Sequence, residues 1–71
     1  MSFEECVKNV RQQLNLSQQA LADRLCVSFS TINRWENGKH KPSRMAINTL
    51  ASFCKLQNIS FDYTIGEEDQ A

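Results

Sequence analysis

Asn33 and Arg34 stand side by side in the stretch from Ser28 to Glu36. Both side chains are planar and offer paired hydrogen-bonding atoms. An Asn amide matches the N6/N7 edge of adenine, and a guanidinium matches the O6/N7 edge of guanine. Phe29 and Ser30 share the outward positions of the same stretch. Phe29 suits a thymine methyl or plain packing, and both readings stay open. Just beyond lie Lys39, His40, Lys41 and Arg44, where the phosphates of a docked duplex would run. The competing reading is a solvated basic loop on an ordinary helical bundle.

Such groups need a frame, and the helix signals supply one. Ser2 and Glu5 have capping-box spacing, and Phe3, Cys6, Val7, Val10 and Leu14 then form one apolar stripe. A second helix is predicted after Ser17, with Leu16 and Leu21 as its hydrophobic staple and Leu21, Ala22 and Leu25 as its buried face. The same grammar repeats with Val27, Ser28 and Ile32, and Ile32 and Trp35 lie on the inner face of this third helix. Gly38 stops it near Glu36 or Asn37. Pro42 bars continuation and Ser43 can cap a fourth helix, with Ala46, Ile47, Leu50, Ala51 and Cys54 at i, i+3/i+4, i+7 spacing through about Leu56. The second and third helices are about eight residues each, with a connection of only three or four. That is the length signature of a helix-turn-helix, whose second helix enters the major groove.

The chain has 71 residues and a formal net charge of zero, so it is one small domain with no simple basic character. The zero hides a distribution. All eight cations lie between Lys8 and Lys55 with only Asp23 and Glu36 among them, so that span carries +6. Glu4, Glu5, Asp62, Glu67, Glu68 and Asp69 give the flanks −6. No apolar run approaches the ~20 residues of a membrane span, and no signal-peptide pattern opens the chain. Cys6, Cys26 and Cys54 lack metal-ligand or Cys-x-x-Cys spacing. They read as small core hydrophobes in a reducing cytoplasm, with a redox sensor as the minor alternative. With a lone His40 and no convergent acid–base pair, no enzyme activity, metal, cofactor or small-molecule ligand is expected.

The run from Leu16 to Pro42, LSQQALADRLCVSFSTINRWENGKHKP, resembles the lambda-type repressor/Cro (XRE-like) family. It keeps the Leu-Ser-Gln, Leu-Ala, Val-Ser, Thr-Ile-x-x-Trp-Glu-x-Gly and Pro landmarks, and with flanking helices the likeness covers roughly Phe3 to Gly66. The resemblance implies an all-α, four-to-five-helix domain with the helix-turn-helix at helices 2 and 3. It implies that Gln18 touches a phosphate and supports a contact of the recognition helix. It gives Phe29, Ser30 and Asn33 base-reading positions, Arg34 a base or backbone position, and Asn37, Lys39 and Lys41 the backbone-contacting loop. Ser17, Ser28, Thr31 and Arg44 complete the candidate DNA-binding set, Thr31 either as a phosphate donor or as a cap. Arg11 and Glu36 match a family ion pair joining the first helix to the end of the third, and Trp35 then belongs to the core. One departure stands out: the family's turn glycine is Cys26 here.

From Ile59 to Ile65 apolar and polar residues alternate, which reads as a strand, while Ser60 and Gly66 suit the ends of a short helix. The resemblance favours a fifth helix and makes Phe61, Tyr63 and Ile65 candidate dimer contacts, with completion of the monomer core as the other reading. The expected organisation is a DNA-binding domain over residues 1–66 and an acidic polar tail over 67–71. The expected function is sequence-specific binding of double-stranded DNA by a cytoplasmic transcriptional regulator, as a homodimer on DNA. The alternative is a protein-interaction module, antitoxin-like or adaptor, on a repressor-like scaffold.

Overall fold

A serine starts every helix. In the computed structural model, which describes residues 1–39, 41–61 and 63, the order is α1 (Phe3–Leu14), α2 (Gln18–Leu25), α3 (Phe29–Asn37) and α4 (Arg44–Leu56). Ser2, Ser17, Ser28 and Ser43 are extended at the four N-caps, and each hydroxyl accepts the amide three residues on at 3.0–3.2 Å. Each cap satisfies an otherwise orphaned helical donor and is worth about 1 kcal/mol. At α1 the capping box is complete, because Glu5 accepts from the Ser2 amide at 3.0 Å. Those hydrogen bonds from Ser2 hold the exposed Glu5 carboxyl below its ordinary value.

The helix ends follow a second rule. Asn15, Cys26 and Asn58 lie in the left-handed region, at φ 58°, 59° and 58°. The amide after each reaches back five residues: Leu16 to the Arg11 carbonyl, Val27 to that of Ala22 and Ile59 to that of Cys54, at 2.9–3.0 Å. This is the Schellman arrangement, in which an apolar residue after the turn packs on the helix it ends. Leu16, Val27 and Ile59 do so here, each partly buried against the core. Asn15-Leu16-Ser17 and Cys26-Val27-Ser28 are therefore the same device twice: a left-handed stop, an apolar anchor and a cap. That is why each connection can be so short.

Cys26 takes the left-handed backbone conformation that favours glycine, and its side chain is exposed. The expectation that all three thiols are core hydrophobes is thus corrected at Cys26, because a left-handed stop at a helix end faces solvent. Cys6 and Cys54 are buried, and burial followed by the proximity of Cys6 pushes the Cys54 thiol up from its ordinary value. A non-glycine residue in the left-handed region is strained by roughly 1 kcal/mol. Cys26→Gly is therefore expected to raise the thermal midpoint by roughly 4–8 °C for a domain of this size. A midpoint at or below that of the parent chain shows that the turn stores no strain.

Val7, Val10, Leu21, Ile32 and Leu50 are no more than 1% exposed and form the centre. α3 packs chiefly on α1 and α2, and α4 closes the bundle against both. Two aromatic residues that helical spacing alone did not place in the core join it, Phe53 and Tyr63. Phe3 meets Trp35 and Tyr63 edge-on, with ring centroids 5.5 and 5.7 Å apart. Trp35 is thereby a packing residue, as expected.

Ile59, Ser60, Phe61 and Tyr63 lie in neither helix nor strand. The remainder of the expected fifth helix, including Ile65, and the tail over 67–71 fall outside the described residues. Tyr63 is buried and Phe61 partly buried against the core, so the Tyr63 ring has little surface left for a second chain.

Candidate nucleic-acid interface

α3 has two unlike faces because its sequence alternates them at helical period. Ile32 and Glu36 are buried, whereas Phe29, Ser30, Asn33, Arg34 and Asn37 are exposed. Phe29 is 44% exposed, an apolar ring on an otherwise polar surface. At the start of this helix the hydroxyls of Ser28 and Thr31 lie 2.8 Å apart and share a hydrogen bond. Thr31 is therefore tied into the cap, and Ser28 holds the first turn in place. Ser17 is exposed at the start of α2 and Gln18, the residue after it, is half-buried.

The buried carboxylate of Glu36 is what fixes this helix. Arg11 grips it with two donors, Nε to Oε2 at 2.6 Å and Nη2 to Oε1 at 2.9 Å. The third arm of the guanidinium, Nη1, donates to the Leu16 carbonyl at 3.1 Å. Gln18 Nε2 donates to Glu36 Oε1 at 3.1 Å. One carboxylate thus ties α1, the start of α2 and the end of α3 together. Burial alone would raise the Glu36 carboxyl, but the hydrogen bonds from Arg11 and Gln18 outweigh it and hold the group below its ordinary value. The same bond raises the Arg11 guanidinium. A planar fork on a carboxylate defines orientation as well as distance, so the rotation of α3 is specified rather than merely allowed.

Beyond α3, Gly38 ends the helix in the left-handed region at φ 69°. Two recesses near this helix end share Phe3, Trp35, Lys41 and Pro42. One, of about 160 Å³, adds Arg34 and Ser43. The other, of about 200 Å³, adds Glu4, Gly38 and Lys39. Lys41 thus lines both recesses with Phe3 and Trp35, while Arg34 lines the first and Lys39 the second. Arg44 lines neither recess. It is exposed in the first turn of α4 and lines an open groove with Arg24, Leu25 and Met45. His40 lies outside the described residues.

The sequence therefore pointed to the exposed face, the caps and the Arg11–Glu36 pair. The family likeness gave Gln18 a supporting contact with the recognition helix without naming Glu36, and nothing signalled that Glu4 reaches the end of α3. Both depend on how the helices cross, and neither has a signature in local spacing. Among the described residues no cluster of His, Cys, Asp or Glu is placed to hold a metal ion. No helix among them is long and apolar enough to cross a membrane.

Comparison with known proteins agrees with this geometry. A helix-turn-helix family model matches residues 7–57. The HTH-type transcriptional activator BcrR of Enterococcus faecalis is 36% identical over 53 residues, covering 75% of this chain and 26% of its own length. The chain thus spans about a quarter of that relative. No solved structure matches it. With the landmarks of α2 and α3 in register and the short turn between them built as described, the chain belongs to the XRE-type helix-turn-helix family.

Proposed function

We propose that this domain binds double-stranded DNA sequence-specifically, as the DNA-binding part of a cytoplasmic transcription regulator. The observation that carries the reading is the exposed face of α3, with Phe29, Ser30, Asn33 and Asn37 presented outward while Glu36 is locked from behind by Arg11 and Gln18. A helix inserted in the major groove must present base-reading groups at a fixed rotation, and this arrangement provides one. Arg34, Lys39 and Lys41 line the flank where the phosphate backbone would pass, and Ser17 and Gln18 offer a second backbone contact at the start of α2. The domain acts by binding and not by catalysis. Two copies are expected to read half-sites about one helical turn, ~34–36 Å, apart.

The test is titration of a random-sequence duplex and of duplexes selected from a random pool, over a range of salt. Log affinity is expected to fall linearly with log salt at about −0.9 per neutralised phosphate, and the selected duplexes are expected to bind tighter than the random one. Absence of binding to either at ~50 mM salt overturns the reading. Selected sequences that contain two related half-sites support the dimer, and a single half-site argues for a monomer.

A further inference from the structure

An acid from α1 lines the same recess as the lysines proposed to face phosphate. Gly38 has no side chain, and the Glu4 carboxylate lies where one would be: a Cβ built on Gly38 collides with Cδ and Oε2 of Glu4. Glu4 belongs to the first turn of α1, and its neighbour Phe3 is 4% exposed and packed edge-on against Trp35 of α3. The backbone at Glu4 is therefore held by the core, and the carboxylate is delivered to the end of α3 by helix packing. There it lines the same recess as Lys39 and Lys41.

We propose that Glu4 competes with DNA phosphate for the recess lined by Lys39 and Lys41, and so sets the sequence-independent part of the affinity. The proposal rests on the DNA-binding reading above. A carboxylate and a phosphate oxygen carry the same charge and seek the same cations. A duplex that reaches these lysines must do so against Glu4, or displace it. Every sequence presents the same phosphates, so the opposition is uniform across sequences. It is also screened by salt, because the groups are at the surface and the Debye length falls from about 14 Å at 50 mM to below 10 Å above 0.1 M. The domain thereby limits its hold on random DNA without altering its base-reading face.

The discriminating variant is Glu4→Gln, which keeps the shape and removes the charge. It is expected to tighten binding to a random-sequence duplex two- to five-fold at ~50 mM salt, with a similar gain on a selected duplex. The gain is expected to vanish toward ~0.5 M salt, and the log–log salt slope to steepen by up to about one unit. Glu4→Asp retains the charge and is expected to bind much as the parent does, with thermal melts showing all three proteins folded. Binding by the parent with no gain in Glu4→Gln overturns the proposal alone and leaves Glu4 a packing residue. A gain of equal size in Glu4→Asp, or one that persists at high salt, overturns it as well, because neither follows from charge. Failure of parent and variant alike to bind any duplex overturns the DNA reading, and the proposal with it.

Discussion

Replacing Arg11 with alanine is expected to lower the stability of the domain by about 2–4 kcal/mol. The reason is what remains behind. Glu36 stays buried, with its side chain 5% exposed, while it loses both guanidinium donors and keeps only Gln18. The Leu16 carbonyl loses its donor as well. Arg11 is a quarter exposed, so water partly replaces it, which holds the estimate toward the lower part of the ~3–5 kcal/mol range for breaking a buried pair. A domain of this size holds only about 4–10 kcal/mol in all, and the loss corresponds to a fall of roughly 10–30 °C in the thermal midpoint. The double replacement Arg11→Met with Glu36→Leu removes both charges and is expected to recover much of it. A double variant no more stable than Arg11→Ala shows that the two residues act independently.

The same pair sets an acid limit. The folded Glu36 carboxyl is held below its ordinary 4.5, so the unfolded chain binds its proton first as pH falls. The contribution of Glu36 is fully present above that ordinary value and is lost as pH drops through the folded one. Glu5, also lowered, adds to the same trend. The thermal midpoint of the parent chain is therefore expected to decline below about pH 4.5, and that of the apolar double variant to decline less. Parallel pH curves for the two proteins exclude Glu36 as the source.

How much of this was legible in the residues depends on the range of each interaction. Helix starts were, because Ser2, Ser17, Ser28 and Ser43 act on amides three residues away. The conformation of Cys26 was not fixed by its type. The bond from the Val27 amide to the Ala22 carbonyl imposes a left-handed residue between them whatever its side chain. Alternation in the segment after α4 suggested a strand, and the structure gives it another meaning. Ile59 and Phe61 are partly buried, Tyr63 is buried and Ser60 is exposed, so these side chains meet the core although no strand among the described residues pairs with them. Period two reports which side touches apolar surface, and that happens to an unpaired segment as well as to a strand. For the site, the family likeness supplied Arg11 with Glu36, and the isolation of Glu36 among cations agreed. Gln18 against Glu36, and Glu4 against Gly38, join residues from different helices. Such contacts follow from crossing geometry, which spacing along one chain does not encode.

Asn33→Ala is expected to cost about 1–3 kcal/mol, roughly 5- to 150-fold, at a single base pair of the selected site and little elsewhere. Lys41→Ala is expected to weaken all duplexes evenly and to reduce the salt slope by about one unit. The contrast follows from where the two side chains stand. Asn33 is exposed on the outward face of α3, one turn beyond Phe29 and one before Asn37. Lys41 lies past the helix and lines both recesses with Phe3, Trp35 and Pro42. Arg34 decides between these behaviours. Its residue type suits guanine, and the likeness to the family leaves base and backbone roles open. In the structure it shares a recess with Lys41 and the α4 cap Ser43 rather than standing at the middle of the outward face. Arg34→Ala is accordingly expected to follow Lys41→Ala, with an even loss over sequences. The measurement is competition among duplexes that differ from the selected site by one base pair at a time. An even loss for Asn33→Ala removes its base-reading role. A loss for Arg34→Ala confined to one G·C pair moves Arg34 from the backbone to the groove, and leaves Lys39 and Lys41 as the phosphate contacts of that loop.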